Sequence, residues 1–107
     1  MFRPIVLFST CGKKETAEQI AALLVEKHLA ACVNVVAGVT SFYHWNGKVH
    51  NDSEVLLIIK SISSHLDKIH KLIKTYSGYE LPELISFEIT GGSNEYLAWL
   101  EAETKET

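Results

Sequence analysis

The apolar positions of the chain switch between two periods, and each switch marks an element. Arg3 to Thr10 carries Ile5, Val6, Leu7 and Phe8 in a row, a short continuous apolar run suited to a buried strand. From Lys13 to Leu29 the spacing becomes helical, with Ala17, Ile20, Ala21, Leu24 and His28 on one side, so an amphipathic helix is predicted. Ala31 to Ser61 reads as two long β-rich arms folded about Asn46 and Gly47, because Asn-Gly supplies the two positive φ values that a type I′ turn needs. Ser64 with Asp67 three residues on resembles a capping box, followed by a helical stripe of Leu66, Ile69, Ile73 and Tyr76. Pro82 excludes a helix interior. Glu83 to Thr90 shows Leu84, Ile85, Phe87 and Ile89 and is predicted as a strand, ended by Gly91 and Gly92. Ser93 or Asn94 then caps a last helix with Tyr96, Leu97, Trp99 and Leu100.

The hairpin is too long for the domain that contains it. Asn46 and Gly47 set a register in which Trp45 faces Lys48, Tyr43 faces His50, Phe42 faces Asn51 and Val55 lies opposite Gly38. At roughly 3.3 Å per residue each arm runs about 43 Å, against a radius of gyration of about 13 Å for a compact domain of this length. The hairpin must bend or protrude. Gly38 offers a place for a bulge, and a neighbouring subunit is the simplest cover for a protruding apolar arm. The returning arm adds to this, since Val55, Leu56, Leu57, Ile58 and Ile59 are all apolar and both faces of the sheet are dry there.

The element order is βαββαβ with one helix added, within a single domain spanning residues 1–107. This is the pattern of an α+β, ferredoxin-like arrangement. Right-handed crossovers place the first two helices on one face of a four-stranded sheet. The other face is left for a second copy.

A formal net charge of −3 argues against a nucleic-acid binder, and no apolar run approaches the length of a membrane span. The run Ile5 to Phe8 is too short for a signal-peptide core, so a cytoplasmic protein is expected. Cys11 and Cys32 form no Cys-x-x-Cys pair, which gives neither a zinc nor a thioredoxin-type signature. Cys11, beside Gly12, Lys13 and Lys14, has a setting that can favour a thiolate, but is read as a small loop residue; Cys32 is read as a buried hydrophobe. Among the five histidines, His44 and His50 fall on opposite faces of the hairpin, and His65 and His70 stand roughly 140° apart on a helix, so neither pair chelates within a subunit. Glu80 and Glu83 flank Pro82 in a turn whose acids are expected to pair with lysines. No nucleophile with a base and an orienting group is visible, which leaves a hydrolase or isomerase built on Glu83 and Tyr79 without support.

The segments Ala31-Cys32-Val33-Asn34, Ser41-Phe42-Tyr43-His44-Trp45-Asn46-Gly47-Lys48, Glu54 with the apolar run into Lys60, Tyr79-Glu80-Leu81-Pro82-Glu83 and Tyr96-Leu97-Ala98-Trp99-Leu100 together resemble the CutA family of divalent-cation-tolerance proteins. The resemblance spans nearly the whole chain in order. It implies a ferredoxin-like subunit assembled as a homotrimer through the long hairpin, similar to the PII signalling trimers, and a non-catalytic role in tolerance to copper and other divalent cations. It places Tyr43, Trp45, Glu54, Lys60, Tyr79, Pro82 and Glu83 at or near subunit junctions, where a metal ion or a small ligand would bind; Lys60 and Glu83 are expected to pair there. Copper-binding relatives carry a cysteine and two histidines where this chain has Ser9, Tyr76 and Ser77, so no metal-ligating residue is assigned and no cofactor is expected to be required. The competing expectation is a PII-like regulatory module that takes a small anionic metabolite and then a protein partner. No membrane or nucleic-acid partner is expected.

Overall fold

The β-hairpin sets the shape of the molecule. The computed structural model describes residues 2–105, and its longest dimension is 44 Å against 25 and 22 Å in the others. In chain order the elements are β1 (Pro4–Cys11), α1 (Lys14–Glu26), β2 (Cys32–Trp45), β3 (Lys48–Ile62), a single 3₁₀ turn (Ser63–His65), α2 (Leu66–Tyr76), β4 (Ile85–Glu88) and α3 (Asn94–Glu103). The strands form one antiparallel sheet in the order β2-β3-β1-β4.

Asn46 and Gly47 both have positive φ, 52° and 74°, as the turn requires. The register follows from it: Trp45 pairs with Lys48, Tyr43 with His50 and Phe42 with Asn51. Between Val36 and Val39 the ladder slips by one residue, so Ala37 and Gly38 together oppose Val55. Gly38 sits at φ 81°, a left-handed conformation open to glycine at little cost. Before the bulge Val36 pairs with Leu56, and after it Val39 pairs with Glu54. Val36 and Val39 therefore share one side of the sheet, and so do Tyr43 and Trp45 further out.

Burial along β3 alternates. Val55, Leu57, Ile59 and Ser61 are buried, while Leu56, Ile58, Lys60 and Ile62 are half-buried. The buried set packs with Ile5, Leu7 and Cys11 of β1, Ala17, Ile20 and Leu24 of α1, and Ile69, Leu72 and Ile73 of α2. Both helices therefore cover the same face. The opposite face displays Phe8, edge-on to Phe87 with ring centroids 5.2 Å apart, and leaves Ile85 and Phe87 each 50% exposed and Val36 40% exposed. One end of that face is overlaid by α3, which lies against β1 and β3 and sets Tyr96 beside Cys32.

Several local expectations need correction. The first helix ends at Glu26, and His28 lies beyond it at φ 58°, so it belongs to the turn, where its ring bonds the carbonyl of Glu103 at 2.9 Å. Ser64 caps nothing: residues 63–65 wind into a 3₁₀ turn and His65 takes the N-cap position of α2 without a side-chain cap. Leu72, not Tyr76, completes the buried stripe of α2; Tyr76 is 42% exposed. The last strand is only four residues long. At α3 the expectation holds for Ser93, whose hydroxyl accepts from the amide of Tyr96 at 3.2 Å. Cys11 is the last residue of β1 and fully buried, where burial and then the neighbouring Glu54 carboxylate push its thiol pKa up, away from a thiolate. Cys32 is half-buried, with the Lys60 ammonium 4.0 Å from its sulfur.

Candidate functional site

Beyond the bulge the hairpin leaves the helices behind, and the segment after α2 comes back to meet it. Ser77, at the end of α2, is buried, and its hydroxyl accepts from the amide of Tyr79 at 3.1 Å. Gly78 then turns the chain at φ 79°, which brings Tyr79 over the end of β1. A Cβ on Gly12 would stand 3.2 Å from the Tyr79 hydroxyl, so the absence of a side chain at position 12 admits the ring. Downstream, the buried Ser9 hydroxyl of β1 donates to the carbonyl of Glu83 at 2.7 Å and fastens the far side of the Pro82 turn. Pro82 is half-buried and fixes φ between these two anchors.

The result is a groove of about 750 Å³ between the outer hairpin and residues 78–83, with Tyr43, Trp45, Glu54, Tyr79, Glu80 and Glu83 in its walls. Glu54 and Asp52 lie on one side of the ladder, two residues apart, opposite Val39 and Ser41. Each accepts a tyrosine hydroxyl: Tyr79 donates to Glu54 at 2.6 Å, and Tyr43 donates to Asp52. Burial, then the bond to Glu54, holds the Tyr79 hydroxyl well above its ordinary pKa; for Tyr43 the bond to Asp52 is the leading cause of a shift in the same direction. Tyr43 also stacks on His50, centroids 5.7 Å apart, and His50 bonds the carbonyl of Trp45 at 3.1 Å. These contacts fix the ring of Tyr43 from two directions.

Of the seven junction residues expected from the sequence, the structure brings Tyr43, Trp45, Glu54, Tyr79 and Glu83 to this groove and Pro82 to the turn that shapes it. Lys60 is elsewhere. It pairs with Val6 on β1, four residues and about 13 Å from Thr10 at the groove wall, and its ammonium bonds the Asn34 side chain. A Lys60–Glu83 pair therefore requires two copies of the chain. No lysine lines the groove, so the turn acids Glu80 and Glu83 do not meet one there. Asp52 was not singled out from the sequence, and Gly12 and Ser77 were named there for other reasons, as a neighbour of Cys11 and at a position where copper binding was weighed, not as parts of this groove. For Asp52 the signal was available, since the Asn46-Gly47 register places it near Tyr43 on the same face.

Among the described residues, no three His, Cys, Asp or Glu side chains converge closely enough to hold a metal ion. His44 and His50 do point to opposite faces, being neighbours in successive ladder pairs. His65 is 3% exposed and bonds the carbonyl of Thr104 at 2.7 Å. Ser9 and Ser77 are buried and hydrogen-bonded to backbone, and Tyr76 is exposed on α2. No helix among the described residues is long and apolar enough to cross a membrane.

The family model of the CutA1 divalent ion tolerance protein matches residues 5–103. The chloroplastic CutA protein of Arabidopsis thaliana is 44% identical over 94% of this chain, which spans only 56% of that relative's length. The divalent-cation tolerance protein CutA of Thermus thermophilus is 41% identical over 92% of this chain and 96% of its own. A solved structure of the Thermus thermophilus protein superposes with a TM-score of 0.93 at 40% identity, covering 95% of this chain and 99% of that one. CutA1 from Oryza sativa gives 0.94 at 42% identity, covering 98% and 96%. A protein from Archaeoglobus fulgidus described as a periplasmic divalent cation tolerance protein gives 0.92 at 31% identity, covering 95% and 99%. With residues 5–103 matched by the family model and the fold shared over nearly all of this chain, it belongs to the CutA1 divalent ion tolerance protein family.

Proposed function

We propose that the protein is a non-catalytic homotrimer of ferredoxin-like subunits that serves in tolerance to divalent metal ions and binds its ligand at the subunit junctions. The observation that supports this most is the uncovered sheet face, where Ile85, Phe87 and Val36 stay 40–50% exposed beside half-buried Leu56 and Ile58. An apolar patch of this kind is the signature of a surface made to be covered. The strand order β2-β3-β1-β4 suits the ferredoxin-like reading. The groove opens on the same side of β3 as this face, since Glu54, Leu56 and Ile58 are alternate residues of one strand. A second copy seated on the apolar face would thus bring its own residues to the groove rim.

Two features favour binding over catalysis. Both groove tyrosines donate their protons to carboxylates, and no serine, threonine or cysteine there is paired with a base. The groove holds Glu54, Glu80 and Glu83 with no lysine or arginine, which suits a cation better than the anionic metabolite of a PII-like module. Copper is expected to bind weakly, because Ser9, Tyr76 and Ser77 supply neither thiolate nor imidazole. Two unpaired cysteines fit a reducing compartment such as the cytoplasm, although the plant and archaeal relatives are named for the chloroplast and the periplasm.

Light scattering on the purified protein tests the assembly, and a trimer mass is expected at micromolar concentration; a monomer mass would sink the reading. Isothermal titration with copper(II), zinc(II) and a panel of nucleotides tests the ligand class. Tight nucleotide binding without metal binding would favour the PII-like alternative.

A further inference from the structure

We propose that the groove is a binding site for a small organic cation, an ammonium-bearing molecule held by the rings of Tyr43, Trp45 and Tyr79 and the carboxylates of Glu54, Glu80 and Glu83. This rests on the reading that the ligand binds at the groove, and it names the ligand's chemistry.

The formal charge of the walls is one-sided, with Glu54, Glu80 and Glu83 and neither lysine nor arginine. Carboxylates only accept hydrogen bonds, and the two tyrosine hydroxyls give their hydrogens to Glu54 and Asp52. The neutral side-chain donors of the lining are the hydroxyls of Thr10 and Ser41 and the indole N–H of Trp45. A ligand that pairs with the three carboxylates brings positive charge and its own donors. His44 is the one basic residue lining the groove, and neither lysine nor arginine is present to receive an anion.

A bare metal ion meets the charge requirement but not the geometry, because no three ligating side chains converge here. The volume is also wrong for an ion and right for a small molecule, since about 750 Å³ falls within the usual range of small-ligand clefts, roughly 300–1,000 Å³. The aromatic faces complete the case. Trp45 and Tyr43 are 39% and 40% exposed beside the carboxylates, and an ammonium over such rings gains from their quadrupoles as well as from ion pairing. His50 stacks on one face of Tyr43 and holds its ring in place.

The test is isothermal titration of the chelator-treated, assembled protein with putrescine, and with succinate as a dianion of similar length. Putrescine is expected to bind saturably and more weakly as salt rises, with no saturable binding of succinate. Trp45→Leu and Glu83→Gln should each weaken putrescine at least about fivefold, and Trp45→Phe should restore most of the loss. Glu88→Gln, on β4 outside the groove, should leave the affinity unchanged. Circular dichroism on each variant separates lost binding from lost folding. No saturation at millimolar putrescine, equal affinity for succinate, or equal binding by folded Trp45→Leu and the parent would overturn the proposal. Putrescine binding by a protein that light scattering finds monomeric would uphold this site while removing the trimer; a trimer that ignores putrescine would do the reverse.

Discussion

The inner and outer halves of β3 belong to one continuous strand and are held by different forces. From Val55 to Ile62 every second side chain is sealed under α1 and α2, with Leu57, Ile59 and Ser61 fully buried. From Lys48 to Glu54 no residue is fully buried, and order comes from the ladder to β2, the Asn46-Gly47 turn and two tyrosine–carboxylate bonds. Apolar burial contributes about 1.5 to 3 kcal/mol per large side chain, whereas a hydrogen bond nets about 1 kcal/mol. The inner half therefore carries the stability of the subunit. The outer half is free to carry charge and exposed rings, which an interior could not accommodate without paired partners.

The sharpest way to break that division is to place the same charge on either side of the inner half. Leu57→Asp puts a carboxylate among the core residues and should cost several kcal/mol, enough to unfold a domain whose total stability is about 5 to 15 kcal/mol. Ile58→Asp, one residue on and facing the open side, should leave a folded chain with native circular dichroism but a monomer mass by light scattering. Equal unfolding by both variants would mean that the open face is as essential to the subunit as the core.

The outer half responds to a smaller change. Tyr79→Phe leaves the Glu54 carboxylate without its hydroxyl donor and should lower stability by about 1 to 2 kcal/mol in urea denaturation. The parent should also be alkali-sensitive in a defined direction. The Tyr79 hydroxyl has its pKa raised in the fold above the ordinary 10.0, so its contribution is complete below about pH 10 and is lost as pH rises through the folded value. Tyr43, shifted the same way, adds to the slope. Tyr79→Phe should flatten the decline of stability above about pH 10, and an unchanged slope would remove Tyr79 from the account.

Two smaller variants calibrate the comparison. Ser93→Ala removes the cap of α3, which belongs to neither half, and should cost about 1 kcal/mol without altering oligomeric mass or putrescine affinity. Gly12→Ala sets a methyl 3.2 Å from the Tyr79 hydroxyl. A shift of the ring by a few tenths of an ångström should leave stability within about 1 kcal/mol of the parent and lower the pH at which the tyrosinate absorbance appears, as the bond to Glu54 loosens.

What could be read from the sequence follows the range of the interaction that fixes each feature. Asn46-Gly47 and Gly38 announce their backbone angles locally, so the hairpin register and the site of the bulge were legible. Ser93 caps its own helix. Ser64 offers an equally good local signal and is overridden, because the chain leaves β3 through a 3₁₀ turn that commits His65 to the carbonyl of Thr104. His28 fits the helical spacing but belongs to a left-handed turn whose ring partner, Glu103, is 75 residues away. The groove shows the same limit. Tyr79 and Glu54 both stand in segments expected at a subunit junction, yet the bond between them spans 25 residues and is accommodated by the bare Cα at Gly12. Cys11 reads as a loop thiol beside lysines until β1 is seen to extend through it into the core.

The slip of one residue at Ala37 and Gly38 makes the hairpin a phase-locked device. Side chains on a strand repeat every two residues, so inward of the slip the even-numbered residues of β2 share a side with Leu56, and outward of it the odd-numbered ones share a side with Glu54. Deleting either Ala37 or Gly38 would leave one residue opposite Val55 and turn the slip into a regular ladder, with Val36 still on Leu56, Val39 still on Glu54, and Tyr43 and Trp45 still on their side of the sheet. In most surface loops, length drifts one residue at a time. In this arm the one spare residue sits at the slip, so a library of single-residue changes across residues 36–45 should recover assembled protein with Ala37 or Gly38 deleted and almost none with one residue inserted between Val39 and Trp45.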